Sequence, residues 1–132
     1  MDKTFADSAG RLRRAHQRLH DFLPRLEGAR KKIRPADCEE VIFELFRIES
    51  EALYDGLCKQ YADRKGETAM LRALREGLVP LKVMVLAFLD DKRVSGRPLA
   101  VELRLRIKLE EDYLIPMLKG IAGRYLTSNK EL

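Results

Sequence analysis

Apolar residues return every three to four positions along most of the chain, and polar clusters interrupt them at three places. That period puts apolar side chains on one face of an α-helix. The first segment runs from Ser8, a residue type suited to an N-cap, to Glu27, with Leu12, Ala15, Leu19, Phe22, Leu23 and Leu26 facing inward. After "GARKKIRPAD", a second opens near Pro35–Asp37 and extends to Ala62, with Cys38, Val41, Ile42, Leu45, Ile48 and Ala52 on its stripe. After "DRKGE", a third starts near Thr68 and reaches Leu89, and Pro80 is expected to kink or split it. After "DDKRVSGRP", a fourth starts near Pro98 and carries Leu103, Ile107, Leu114, Met117 and Ile121. Strand-type alternation is absent. Four amphipathic helices with short connections predict an all-α, up-down-up-down four-helix bundle, built as one domain over residues 1–132.

Two acids break the pattern. At about 100° per residue, Glu110 falls near the centre of the fourth helix's apolar stripe, and Glu49 falls inside that of the second. A buried carboxylate needs a positive partner, a metal or a proton. The two helices also match each other weakly. When Glu49 is laid on Glu110, Ile42 meets Leu103, Phe46 meets Ile107, Leu53 meets Leu114 and Leu57 meets Leu118. The bundle therefore reads as two related helix pairs. Glu51, Glu111 and Asp112 are expected on a solvated face.

Composition narrows the function. The 132 residues are 45% hydrophobic and 36% charged, with no apolar run near the ~18–20 residues that span a bilayer. "MDKTFADSAG" has no apolar signal-peptide core, so a cytoplasmic location and no membrane partner are expected. Cys38 and Cys58 form no metal motif and read as free thiols. The net charge of +5 is spread over all four helices among interleaved acids, and there is no Trp, which argues against a nucleic-acid partner. Nothing has the pattern of a nucleophile elbow, a phosphate loop or a Cys–His pair, so no enzyme is expected.

"RLRRAHQRLHDFLPRLEGA", "ESEALYDGL" and "EEDYLIPML", with the tail "GIAGRYLTSNKEL", resemble in order the helices of the hemerythrin-like, or HHE cation-binding, family. The resemblance implies a bundle around a non-haem di-iron centre, held by several histidines and two bridging carboxylates. It gives His16, Glu49 and Glu110 as the matching ligands. The family has a His four residues before each carboxylate, where this chain has Leu45 and Arg106. It also has His on the third helix, where the register points to Leu78 and Lys82. The only histidines are His16 and His20, so the family's site cannot be assembled from these residues. Arg106, one turn before Glu110 on the same side, and Lys82 are expected to replace the iron cations.

The expected function is therefore non-enzymatic: a regulatory or protein-interaction module, without cofactor, whose partner is another protein or a second copy in a homodimer. Phe46, Tyr54, Leu57 and Tyr61 are the candidate contact face. One alternative is a mononuclear iron or zinc site built from His16, Glu49 and Glu110, with His20 adding an i,i+4 nitrogen, used in storage or redox sensing. Another is an anti-sigma role, since "ELFRIESEALYDGL" and "IKLEEDYLI" are similar to the regulator-of-sigma-D family of bacteria. That family's second-helix motif is absent here, where Glu49–Ser50–Glu51 stands.

Overall fold

Each long apolar run becomes a helical rod, and most rods are interrupted where a local residue stops the α-helical ladder. The computed structural model describes residues 3–28, 35–91 and 93–120. The basic cluster at 29–34 and the tail at 121–132 lie outside the described residues. The helices are α1 (Lys3–Glu27), α2 (Pro35–Ile48), α3 (Glu51–Gln60), α4 (Lys65–Glu76), α5 (Leu78–Asp90), α6 (Arg97–Leu109) and α7 (Ile115–Leu118), with a π-helical segment, Glu110–Leu114, between α6 and α7. There is no strand among the described residues, and no described helix is long and apolar enough to cross a membrane.

Four rods make a helical bundle: α1, α2–α3, α4–α5, and α6 continued through the π segment into α7. The first rod packs on α2, α6 and α7, while α3 packs on α4 and α5 on α6. Leu12, Leu19, Leu45, Leu71, Val85 and Leu103 are among the side chains withdrawn from water between them. Burial of each stabilises the fold by ~1.5–3 kcal/mol before entropy is counted.

The interruptions have readable causes. α1 starts at Lys3, so Ser8 is a buried helical residue and not a cap; the extra turn brings Phe5 into the core against Gly56, whose hydrogen stands where a Cβ would lie 3.2 Å from the Phe5 ring. The second rod breaks at Glu49–Ser50. Ser50 adopts an extended backbone, and its Oγ accepts a hydrogen bond from the N–H of Leu53 (3.1 Å), which starts α3 anew. The third rod breaks at Gly77. Pro80 then falls in the first turn of α5, where its missing N–H costs no helical bond. In the fourth rod the N–H of Ile115 bonds back to the carbonyl of Glu110, five residues earlier. The widened turn lies just before Pro116, which has no N–H and whose ring would crowd an α-helical carbonyl. Gly96 opens α6 in tight contact: an added Cβ would lie 2.6 Å from the carbonyl oxygen of Leu26 and 3.1 Å from the Phe88 ring.

The break at Ser50 turns α3 about its axis relative to a continuous helix. As a result Tyr54, Leu57 and Tyr61, expected on an outer contact face, are buried, and the Tyr61 hydroxyl donates to the carbonyl of Met117 (2.8 Å). Phe46 is partly buried against the core. Ala52, expected inward, is exposed.

Candidate functional site

Both carboxylates that the helical wheel turned inward lie at backbone departures, Glu49 at the α2–α3 break and Glu110 at the start of the π segment. Both are buried, at 2% and 0% exposure. Between them lies Arg106, 5% exposed, projecting inward from the last turn of α6.

The guanidinium is spoken for on all sides. Its Nε donates to Glu110 Oε2 (2.6 Å) and its Nη1 to the carbonyl of Leu74 (2.6 Å). Its Nη2 donates to Glu49 Oε1 and to the hydroxyl oxygen of Tyr54 (2.8 Å). Tyr54 in turn donates to Glu49 Oε1 (2.7 Å). Room for this side chain comes from Gly77, since a Cβ there would lie 3.3 Å from Arg106 Nη1. The planar fork of donors suits two carboxylates approaching from different edges, which an ammonium does not match.

On the other side of Glu110 stands His16, 2% exposed on α1. Its Nε2 lies 2.6 Å from Glu110 Oε1 and its Nδ1 2.6 Å from Glu111 Oε1. Hydrogen bonds from both ring nitrogens to two carboxyl groups require two protons among the three groups. Glu111 itself is exposed and tethers the ring from the solvent side.

Electrostatics follow from burial. Loss of water pushes the Glu49 carboxyl well above the usual carboxylate range, and the neighbouring charge of Glu110 adds to this; Arg106 and the Tyr54 hydroxyl oppose it. Glu110 is also raised by burial, against the pull of Glu49 and Arg106. Tyr54 is pushed up by burial and by the Glu49 charge beside it. For Arg106, burial works against the charge, but the carboxylates outweigh it and hold the guanidinium protonated. Glu49 Oε2 is the one buried side-chain oxygen or nitrogen without a hydrogen-bond partner among the described residues.

The arrangement joins His16, Glu49, Glu110 and Arg106. It does not include Lys82, which was expected to point into the bundle. That side chain is exposed on α5, with Nζ 5.4 Å above the Phe46 ring. The reason is helical phase: the buried stripe runs Leu71, Leu74, Leu78, Leu81, Val85 and Phe88 through Gly77 without a shift, and Lys82 lies to one side of it. Leu78 is buried as an apolar core residue, Leu45 likewise, and His20 is exposed. Cys38 is buried and Cys58 partly so, and neither is in a disulfide.

Two members of the cluster escaped the sequence reading. Tyr54 falls on the outer side of a helix projected without a break at Ser50, although Tyr54, Leu57 and Tyr61 share the spacing of one helical face. Gly77 carried the signal of a glycine inside an apolar helical run, which marks a close approach.

These residues do not fit a di-iron centre. His16 directs both nitrogens to carboxyl groups, and a guanidinium stands between the two acids that would bridge the metals. No group of three His, Cys, Asp or Glu side chains among the described residues is arranged to hold a metal ion. What the site can do is compensate buried charge and tie α1, α3, α4 and α6 to one another. No protein-family model, curated protein or solved structure matches the chain.

Proposed function

We propose that this chain is a hemerythrin-like bundle of up-down-up-down topology whose metal cations are replaced by a fixed arginine, and that it works as a non-enzymatic regulatory or interaction module. The observation that carries the reading is Arg106 bonded at once to Glu49 and Glu110, the two acids that the resemblance aligns with bridging carboxylates. A cation that belongs to the chain cannot be released, exchanged or oxidised. The centre then holds the bundle together, and function moves to the surface.

Elemental analysis of protein purified from iron-, zinc- and manganese-supplemented culture tests this. The reading predicts far less than one metal ion per chain. A stoichiometric metal lost on changing Glu110 or His16 would contradict it and establish the mononuclear alternative.

A further inference from the structure

A groove of about 480 Å³ runs between α4 and α6, against the buried cluster. Small residues on α4 open it: Ala73 and Gly77 stand at i and i+4 on its wall, where larger side chains would fill the space. Met70, Leu81, Leu105 and Leu109 make the rest of the wall mainly apolar. Leu105 and Leu109 are 54% and 41% exposed, so the α6 wall is apolar surface in contact with water.

The charged residues lining the groove are Glu102 and Arg106. They stand at i and i+4 on α6, and so side by side. The Arg106 side chain keeps 6% exposure while those of Glu49 and Glu110 have none, and of the three it alone lines the groove. A guanidinium carries five N–H donors. Four have acceptors here: Glu110, Glu49, the Tyr54 hydroxyl and the carbonyl of Leu74. Nη1 has two hydrogens and makes only the bond to Leu74, so the fifth N–H, on Nη1, has no acceptor among the described residues. That nitrogen sits between two residues of the groove wall, Leu74, to which it donates, and Gly77, whose added Cβ would lie 3.3 Å away. A donor withdrawn from water without an acceptor is costly, so an oxygen brought to it is worth more than the same bond in water.

We infer that the α4–α6 groove binds a neutral aliphatic amphiphile, its chain along Met70, Leu81, Leu105 and Leu109 and its head oxygen accepting a hydrogen bond from Arg106 Nη1. The groove has the size and the mainly apolar lining of small-molecule sites, in which a few polar groups fix orientation. Charge selects the head. Arg106 is already bonded to two acids, and Glu102 is a third on the wall, so an anionic head is repelled. An ammonium head has no lone pair for the N–H. An uncharged carbonyl or hydroxyl oxygen has one, and an amide or hydroxyl hydrogen on the same head suits Glu102, one helical turn away. Such a ligand bonds the residue that ties α1, α3, α4 and α6 together, so its binding is read as added stability. This inference rests on the reading of a metal-free regulatory module and names its ligand class. Metal content tests that reading and ligand binding tests this one, so the two can fail separately.

The experiment is titration of the full chain at neutral pH with octanamide, followed through the Arg106 side-chain N–H resonances by NMR, with octanoate and octylamine as controls of equal length. Octanamide is expected to shift those resonances saturably at one ligand per chain. Shorter amides should bind about fourfold more weakly for each methylene removed. Octanoate and octylamine should bind at least tenfold more weakly than octanamide. Ala73→Phe fills the groove from an exposed position; it should keep its helix content by circular dichroism and lose octanamide affinity at least tenfold. Glu102→Gln should raise octanoate affinity several-fold and leave that for octanamide within about twofold. No binding of octanamide, binding that leaves the Arg106 resonances in place, or binding indifferent to Ala73→Phe overturns the inference. Octanoate bound as tightly as octanamide overturns the neutral head.

Discussion

Glu49 and Glu110 hold corresponding places in the two helix pairs, yet their surroundings differ. Glu110 has a nitrogen partner on each side, with Arg106 at one oxygen and the His16 ring at the other. Glu49 receives Arg106 and the Tyr54 hydroxyl on a single oxygen and leaves the other without a partner. The backbone differs too: α2 stops at Glu49 and restarts after a serine cap, while α6 runs on through a widened turn. Two buried acids therefore share one arginine, supplied wholly by the fourth rod. The half that lacks its own cation is the one whose carboxyl is pushed well above the usual range. The difference teaches that such a cluster is balanced as a unit, and that any shortfall of positive charge is met by a proton at the poorer position.

Removing the shared cation should do the most harm. Arg106→Met leaves two buried carboxylates uncompensated and should lower unfolding free energy by ~3–5 kcal/mol in urea denaturation at neutral pH. Next comes Glu110→Gln, which breaks the bonds to Arg106 and weakens that to His16. A loss of ~2–3 kcal/mol is expected from calorimetry or denaturant midpoints, and a loss no greater than that of Glu49→Gln would erase the asymmetry.

Glu49→Gln should behave differently with pH. Burial raises the folded carboxyl above its usual 4.5, so the folded state holds the proton more tightly than the unfolded one. The stability linked to that proton is full below the ordinary carboxylate range and is lost as pH rises toward the raised value. Parent protein should therefore lose stability as pH climbs above about 4.5, and Glu49→Gln should flatten that slope in urea midpoints measured between pH 5 and 8. An unchanged slope would show that Glu49 does not carry the proton.

Smaller effects distinguish the local supports. Tyr54→Phe removes one donor to Glu49 and should cost ~1–2 kcal/mol, read by thermal melting. Ser50→Ala removes the cap that restarts α3 and should cost ~1 kcal/mol without altering the pH dependence.

Much of this was legible in the residue pattern. Apolar spacing located the four rods, and the helical wheel turned Glu49, Glu110 and Arg106 to one side, because a regular α-helix needs only its period to be projected. The losses came where the helix departs from that period. A serine cap after Glu49 rotated Tyr54, Leu57 and Tyr61 into the core, and Lys82 lies at the surface because it falls beside the buried Leu78–Leu81–Val85 stripe and not on it. The exposed apolar side chains of the described residues lie on α5, on α6 and at Tyr113, and not on the face of Phe46, Tyr54, Leu57 and Tyr61. There α5 offers apolar residues on every side, and periodicity alone does not say which of them the bundle covers.

The central claim is that Arg106 exists to compensate both acids, and urea unfolding of four proteins at neutral pH tests it most directly: parent, Arg106→Met, Glu49→Gln/Glu110→Gln, and the triple variant. Once both acids are neutral, loss of the arginine should cost little. The account predicts that the triple variant is more stable than Arg106→Met and recovers more than half of its loss, a non-additivity that marks a shared network. Strict additivity, with the triple variant less stable than the parent by the summed losses of Arg106→Met and Glu49→Gln/Glu110→Gln, would contradict it.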